Sequence, residues 1–254
     1  MLKILIDADM FVFISCASCE REIDWGNDIW TLHVDFEEAK ATLIEKLNYA
    51  IESALQKMMY SGDYEVIFCF SDSKNFRKKI MPTYKANRVG KRKPVCYKAL
   101  VAYVKDNYKT CQKSTLEADD CIGILATMQI NQGKAIVISG DKDLKSIPAY
   151  YYDFIHDEFF NISKQEADFN FYMQTLMGDT TDGYSGCPSI GKVNAERILK
   201  DNPTWQAVID TYKKKKLTED VAIQQARVAR ILRATDYDFK RKEVKLWLPP
   251  NAEC

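Results

Sequence analysis

The sequence predicts an α/β protein built on a central, mostly parallel sheet flanked by helices. Three short apolar runs, 2–6, 65–70 and 134–139, have the length and composition of buried strands. Helix-like segments separate these runs, and strands that alternate with helices favour a parallel sheet. An acid follows each run closely, at the sheet edge where such folds bind ligands. The sequence therefore predicts a site at the carboxyl ends of the strands.

The helices are indicated by apolar residues at helical spacing and by turn residues between them. From about residue 163 onward the pattern becomes mainly helical. A glycine-bearing turn, 178–192, lies between two of the later helices, and its amides could hold a phosphate. The predicted helices are 36–59, 95–108, 117–130, 171–177, 194–199 and 218–232.

Composition is ordinary for a globular protein of one large domain or two small ones. The chain has 254 residues, of which 46% are hydrophobic and 28% are charged. We find no signal peptide and no apolar run long enough to cross a membrane. The eight cysteines lack paired spacing, which is typical of reduced thiols in a cytosolic protein.

Charge is strongly segregated although the formal net charge is zero. No acid lies between Asp72 and Asp106, whereas acids gather from Asp141 to Asp182. One basic face and one acidic site are what a metal-dependent enzyme acting on a polyanion would need. The basic residues of the acid-free interval are Lys74, Arg77, Lys78, Lys79, Lys85, Arg88, Lys91, Arg92, Lys93, Lys98 and Lys105.

Nine acids stand at predicted strand ends, helix starts and turns. So many carboxylates cannot share a small space without cations, and Glu117 and Asp120 would repel each other on one helix face. No histidine accompanies them, so the oxygen-only ligand set favours Mg²⁺ or Mn²⁺ over zinc. Two such ions could activate a water and stabilise the leaving oxygen of a phosphodiester. The acids are Asp7, Asp72, Glu117, Asp119, Asp120, Asp141, Asp143, Asp179 and Asp182.

Five sequence blocks, in order and spanning about residues 5 to 200, resemble the 5′-nuclease (flap endonuclease) family. This family includes phage 5′-exonucleases and the N-terminal domain of bacterial DNA polymerases. Each block is weak as a pattern, but the ordered set is specific. The blocks are Ile6-Asp7-Ala8-Asp9; Phe70-Ser71-Asp72 with Phe76-Arg77 and 82–88; Glu117-Ala118-Asp119-Asp120; Ser139-Gly140-Asp141-Lys142-Asp143; and Gly178-Asp179 through Asp182 to Gly191.

The resemblance implies a PIN-like catalytic domain over residues 1–160, with a basic helical arch at about 73–98 that covers a single-strand passage. It also implies a helical DNA-binding region over 161–254, with a helix-hairpin-helix at about 178–200. The expected activity is metal-dependent 5′-3′ exonuclease and flap endonuclease cleavage of DNA near 5′ ends. Expected partners are flaps, single-strand/duplex junctions and RNA primers or RNA-DNA hybrids. The chain would act as a monomer in the cytoplasm, the host's if it is phage-encoded.

The resemblance also distributes roles among the residues. One of two Mg²⁺ ions, which Mn²⁺ could replace, would be held by Asp7, Asp72, Glu117, Asp119 and Asp120, and the second would involve Asp141, Asp143, Asp179 and Asp182. Lys85 and Arg88 lie three residues apart, so on a helix they would share a face and could steer the scissile phosphate. DNA binding would fall to Lys74, Arg77, Tyr84, Lys91, Arg92, Gly186, Gly191 and Lys192.

Two departures from the family pattern leave alternatives open. Ala8 replaces the usual Gly and an extra acid, Asp9, follows it, which either joins the site or points away. Ser189 stands where the hairpin usually has Gly, so a backbone-bound K⁺ at the hairpin stays open. The alternative function is a catalytically silent binder of branched or 5′-ended DNA. A third alternative is a kinase-like or phosphatase-like α/β enzyme that acts on a small phosphorylated substrate. It would leave the basic interval unexplained, and the chain has no P-loop.

Overall fold

The computed structural model describes residues 1–250 and confirms the predicted sheet. Six strands lie in the order β5-β4-β1-β6-β7-β8, all parallel except β8, which pairs antiparallel with β7. Their bounds are β1 Leu2–Asp7, β4 Tyr64–Phe70, β5 Thr110–Gln112, β6 Ala135–Ser139, β7 Tyr150–Asp153 and β8 Glu158–Asn161. Two further pairs, β2 Arg21–Asp24 with β3 Trp30–His33 and β9 Tyr237–Asp238 with β10 Glu243–Val244, stand apart from this sheet.

Strand β1 is the centre of the sheet because its apolar side chains are buried on both faces. Ile4, Leu5 and Ile6 are all fully buried, as expected for a strand covered by helices on both sides. It pairs with β4 so that Asp7 lies opposite Cys69, and with β6 so that Ile6 lies opposite Ile138. The carboxyl ends of the three strands that precede Asp7, Asp72 and Asp141 therefore meet at one edge.

Helices cover both faces of the sheet. Helices α1 (Ala8–Ser18), α2 (Phe36–Lys57) and α4 (Tyr97–Asn107) pack on one face, where Phe11, Leu43 and Leu100 enter the core. Helix α5 (Ala118–Thr127) lies against the other face through Ile122 and Ile124. The remaining helices are α3 Arg77–Ile80, α6 Lys164–Met177, α7 Lys192–Leu199, α8 Trp205–Lys214 and α9 Glu219–Ala229.

The later helices share a third apolar core. Phe171 of α6, Val208 and Tyr212 of α8 and Ala226 of α9 are buried together there. Ile231, just after α9, instead packs among the sheet-side residues near α5. The division of the chain into 1–160 and 161–254 therefore stays a prediction. Within residues 1–250, no helix combines the length and the apolar character needed to cross a bilayer.

The segment implied as a helical arch contains little helix. Within residues 73–98, which we call the basic segment, the structure has only the four-residue α3, the 3-10 turn Ala86–Arg88 and the start of α4 at Tyr97. Pro82 and Pro94 interrupt the hydrogen bonding that a continuous helix would need. The segment expected to form the helical arch is therefore mainly a loop with short helical turns.

Candidate active site

The acids at the strand ends line one cavity of about 950 Å³ beneath the basic segment. Asp7 closes β1, Asp72 follows β4, and Asp141 follows β6. The N-terminus of α5 and the turn after α6 bring further carboxylates to the same cavity. The predicted acids that line it are Asp7, Asp72, Glu117, Asp119, Asp141, Asp143, Asp179 and Asp182.

Asp7 lies at the floor of the cavity and is only 5% exposed. Its carboxylate accepts a hydrogen bond from Ser139 Oγ at 2.8 Å and caps α1 by accepting from the amide of Met10 at 3.3 Å. Burial, together with the nearby charges of Asp9 and Asp141, raises the pKa of Asp7 to about 6. The floor of the cavity therefore carries a carboxylate that lacks a cationic partner among its contacts.

Three more acids of the cavity have pKa values raised by burial and by neighbouring carboxylates. Burial, with the charges of Asp7 and Asp141, raises the pKa of Asp119 well above its usual value. Burial also raises the pKa of Asp141, and it raises the pKa of Asp143 to about 7 with help from the Asp141 charge. Carboxylates that raise one another's pKa in this way favour the binding of cations between them.

Backbone amides fix two of the other acids in orientation. Asp72 accepts from the amide of Thr115 at 2.7 Å and from that of Ser73 at 2.8 Å, and these bonds lower its pKa. Asp179 accepts from the amide of Thr181 at 2.6 Å. Both side chains are thus held at the cavity wall by the turns that contain them.

Two cations of the basic segment reach into the acids. Lys85 Nζ lies 2.5 Å from Glu117 Oε1 and 3.4 Å from Asp182 Oδ2, and Arg88 Nη2 lies 2.6 Å from Asp182 Oδ1. Burial alone would raise the pKa of Glu117, but the charges of Arg77 and Lys85 lower it to about 2. Lys85 adopts a left-handed backbone conformation before the 3-10 turn, so the two residues converge on Asp182 without sharing a regular helix face.

Asp120, expected to bind metal, and Arg77, expected to bind DNA, instead form a buried ion pair. The Arg77 guanidinium is 2% exposed and donates to both oxygens of Asp120 at 2.7 Å, and Asp120 is fully buried. Arg77 also donates to the carbonyls of Val228 and Arg230. Asp120 is therefore turned away from the metal cavity, and Arg77 has no free face for DNA. The carboxylate repulsion expected between Glu117 and Asp120 is relieved by Arg77, which contacts both.

Tyr84 was expected to contact DNA, but it is buried and contacts two acids of the cavity. Its side chain is 2% exposed and its hydroxyl donates toward Glu117 at 2.8 Å and Asp182 at 3.1 Å. Burial raises the pKa of this hydroxyl, so it remains a donor. Tyr84 thereby connects an acid of α5 with an acid of the turn after α6.

The glycines of the hairpin turn differ from each other. Gly186 has φ of +62°, and a Cβ there would lie 2.2 Å from the backbone nitrogen of Gly178. Gly191 has φ of −93° and open space around its Cβ position, so neither the backbone nor the surroundings require a glycine there. Ser189 takes the left-handed conformation, φ of +62°, that the usual Gly would take.

The other residues expected to bind DNA lie on the surface, and two of them, Lys91 and Arg92, line the cavity. Lys74 is exposed, and the Lys192 side chain is 77% exposed at the start of α7. Arg92 is held by Glu20, to whose two oxygens it donates at 2.6 and 2.9 Å. The structure thus gives Arg92 an anchoring contact that sequence reasoning missed.

Several cavity residues were absent from the expected set of ligands and DNA contacts, among them Lys142, Tyr97 and Phe13. Lys142 lies between two site acids in sequence, which is a signal that could have indicated it, whereas Tyr97 and Phe13 carry no comparable signal. Asp9, left open by the sequence, points to the cavity wall and binds Ser71 and Tyr97.

The donor set fits a hard divalent cation. Nine acids line the cavity, the eight predicted ones and Asp9; all of them offer oxygen, and four have raised pKa values. Within residues 1–250, no group of three or more acid, histidine or cysteine side chains is arranged so that it could hold a metal ion by itself. Mg²⁺ suits such an open arrangement because it keeps several waters and needs only one or two carboxylates.

The family model for the 5′-3′ exonuclease N-terminal resolvase-like domain matches residues 33–168. The chain belongs to the 5′-3′ exonuclease family. Among its relatives are the exodeoxyribonuclease of Enterobacteria phage T3 and the exonuclease of Escherichia phage T7, each 30% identical to this chain. Each alignment spans 97% of this chain, and the two alignments span 92% of the T3 protein and 93% of the T7 protein.

Two solved structures share the fold of this chain. The protein of phage T5 co-crystallised with metal ions matches with a TM-score of 0.62 at 16% identity, over 92% of this chain and 90% of that chain. The T5 flap endonuclease in a complex with DNA and metal ions matches with a TM-score of 0.62 at 15% identity, over 92% and 89% of the two chains. These similarities support the mostly parallel sheet with flanking helices as the 5′-nuclease fold.

Proposed function

We propose that this chain is a divalent-metal-dependent 5′-3′ exonuclease and flap endonuclease that hydrolyses DNA phosphodiester bonds near 5′ ends. The observation that carries the proposal is the cavity in which carboxylates from three strand ends, α5 and the turn after α6 meet beneath a basic segment. A phosphate backbone would be drawn to the basic segment, and the acids would retain the cations that cleavage requires.

Mg²⁺, with Mn²⁺ as a substitute, is the proposed cofactor. Two bound ions would activate a water and stabilise the leaving oxygen. One group of ligands is Asp7, Asp72, Glu117 and Asp119, and the other is Asp141, Asp143, Asp179 and Asp182. This division follows the family resemblance, with Asp120 removed because Arg77 occupies both of its oxygens.

The chain's own side chains would bind and orient the DNA. Lys85 and Arg88 project from the basic segment into the acids, so a phosphate placed there would meet both cations. Tyr84 fixes Glu117 and Asp182 beneath them. The turn 178–192 and Lys192 would hold the duplex as a helix-hairpin-helix, with K⁺ at its backbone as a further part of the proposal.

The proposed substrates are DNA 5′ ends, flaps and single-strand/duplex junctions, and also RNA primers in RNA-DNA hybrids, bound by a monomer. The seven free cysteines within residues 1–250 suit a reducing compartment, so we place this activity in the cytoplasm, the host's if the chain is phage-encoded.

Cleavage of 5′-labelled DNA tests this proposal against a silent DNA binder. Single strands, blunt duplexes and 5′ flaps would be incubated with Mg²⁺, with Mn²⁺, and with excess chelator. We expect short products from 5′ ends and flaps with either ion and none in chelator. Binding of all three DNAs without any cleavage would favour the silent binder, and cleavage in chelator would contradict the metal mechanism.

A further inference from the structure

The basic segment is held differently at its two ends. Its first limb is fixed to the catalytic side by Arg77, through Asp120, and by the Lys85 amide, which donates to the Asp182 carbonyl at 2.7 Å. Its second limb, residues 92–97, which we call the exit limb, returns from the exposed tip around Gly90 to the start of α4. The contacts of the exit limb have no role in the mechanism above.

Helix α1 and the residues just after it supply those contacts. Asp9 Oδ1 accepts from the Tyr97 hydroxyl at 2.9 Å, while its other oxygen accepts from the Ser71 amide at 2.8 Å. Glu20 binds both terminal nitrogens of Arg92 and accepts from the amide of Val95 at 2.6 Å. Each acid therefore joins the exit limb to the body of the protein.

A third contact lies between these two. The Cys16 and Cys96 sulfurs are 3.3 Å apart, and Cys16 is fully buried. Asp9 and Cys16 are seven residues apart, so they lie on one face of α1, and Glu20 continues that line beyond its end. The eleven residues from Asp9 to Glu20 would span about 16 Å at helical rise.

The same helix begins at Asp7, whose side chain caps it. Its first turn is thus fixed to the floor of the acidic cavity, and its last turn is fixed to the exit limb. Tyr97 is 7% exposed, and Lys93 stacks on its ring with Nζ 4.0 Å from the centroid. The position of the basic wall relative to the acids therefore depends on α1.

We propose that α1 acts as a clamp that positions the exit limb, and that Asp9 and Glu20 are positioning residues for DNA passage between the basic segment and the acids. This inference rests on the proposed nuclease function for its consequence, although the clamp itself is a property of the protein alone. Asp9 and Glu20 act through the exit limb, to which their oxygens are hydrogen-bonded.

Two variants test the clamp with little change of shape. Glu20→Gln removes the charge that holds Arg92, and Tyr97→Phe removes only the hydroxyl that binds Asp9. Glu38→Gln is the matched control, because both Glu38 oxygens accept from Arg21 Nη2, at 2.7 and 2.8 Å, and neither residue belongs to the basic segment. Hydrogen–deuterium exchange of peptides from the exit limb would be measured for all three and for the unmodified protein.

We expect faster exchange in residues 92–97 for Glu20→Gln and Tyr97→Phe, with unchanged exchange in the sheet, and no effect of Glu38→Gln at the exit limb. Unchanged exchange in the exit limb of both test variants would overturn the clamp, and so would an equal increase in the control. Because this readout needs no catalysis, it decides on the clamp even if the protein proved inactive.

Cleavage of a 5′-flap DNA under single-turnover conditions then separates positioning from a general structural role. For Glu20→Gln we expect the half-saturating protein concentration to rise about tenfold, equivalent to about 1.4 kcal/mol, with a smaller change in the saturated rate. Affinity for blunt duplex should stay the same. Equal loss on flap and blunt duplex, or an unchanged half-saturating concentration, would contradict a role in DNA passage. Absence of cleavage by the unmodified protein would instead refute the proposed function.

Discussion

The buried pair between Arg77 and Asp120 shows how neighbouring acids acquire different roles. Asp119 faces the cavity with a raised pKa, whereas Asp120 is enclosed and bound by a guanidinium. Successive residues of a helix project about 100° apart, so the first turn of α5 directs Asp119 into the acidic cavity and Asp120 into the core. Removing one partner of such a pair leaves a buried charge without compensation.

We therefore expect Arg77→Met to lower the free energy of unfolding by about 3–5 kcal/mol. Glu38→Gln, which breaks an exposed pair with Arg21, should cost less than about 1 kcal/mol. Denaturant unfolding of both variants checks this difference. A loss for Arg77→Met as small as that of Glu38→Gln would mean that the buried pair does not stabilise the fold.

Lys85 and Arg88 are expected to act on the scissile phosphate, whereas Lys91 should act as an electrostatic tether. Lys85→Ala or Arg88→Ala should lower the saturated single-turnover rate about a hundredfold, the scale for losing one positioned donor. Lower salt should not restore that rate, because the loss is in the chemical step. Lys91→Ala should weaken binding modestly, and lower salt should compensate. Normal saturated rates for both Lys85→Ala and Arg88→Ala would remove these residues from the catalytic set.

The positions of the cavity acids could be predicted from the sequence, whereas those of the residues that hold them in place could not. Asp7, Asp72 and Asp141 could be placed because each follows a recognisable buried strand, and the parallel order brings them together. The burial of Tyr84 and Arg77 could not be foreseen, because it depends on packing against α9 and the turn after α6. A basic or aromatic residue in an acid-free segment looks the same in sequence whether it faces DNA or the core.

Substitution by alanine should have different effects on stability at two glycines of the hairpin turn. Gly186→Ala should destabilise the protein by about 1 kcal/mol or more, because φ is positive and the Cβ would collide with the backbone of Gly178. Gly191→Ala should leave the melting temperature unchanged and weaken only duplex binding, since a phosphate near the α7 amides would need close approach. Thermal unfolding and duplex titration separate these effects. Equal destabilisation by both substitutions would contradict the backbone assignment.

Elements with a clear apolar period were predictable, and short or polar ones were not. The predicted helix 36–59 corresponds to α2 Phe36–Lys57, and the run 134–139 corresponds to β6 Ala135–Ser139. The hairpin of β2 and β3 was missed because its strands are mostly exposed and have no buried face to set a period. The basic segment, which the resemblance implied to be a helical arch, is mainly a loop because Pro82 and Pro94 interrupt it.

For the whole molecule, the acidic cavity predicts that metal-free stability depends on pH. The folded pKa of Asp7 is raised to about 6 and that of Asp143 to about 7, above the ordinary value of 3.8. The folded state then holds more protons than the unfolded chain between those values, so the free energy of unfolding falls as pH rises through about 4 to 7. Glu117, with its pKa lowered to about 2, acts in the opposite direction only at lower pH.

In chelator we therefore expect the melting temperature to be higher at pH 5 than at pH 7.5, by about 5 °C or more. Mg²⁺ should raise it more at pH 7.5, because cations and protons compete for the same carboxylates. Asp143→Asn should reduce the fall of the melting temperature between pH 5 and pH 7.5. A metal-free melting temperature that rises between pH 5 and 7.5 would contradict the crowded, unpaired state of these acids.

We expect hydrolysis of DNA at 5′ ends to depend on cations held by the carboxylates at the sheet edge. This dependence is tested by the saturated single-turnover rate on a 5′-flap DNA as Mg²⁺ is varied, for the unmodified protein and Asp141→Asn, with DNA affinity measured in parallel. We predict no cleavage in chelator and a rate that rises with more than the first power of Mg²⁺. Asp141→Asn should bind the DNA at least as tightly and cleave it several orders of magnitude more slowly. Undiminished cleavage in chelator, or by Asp141→Asn, would rule out hydrolysis by cations at these carboxylates.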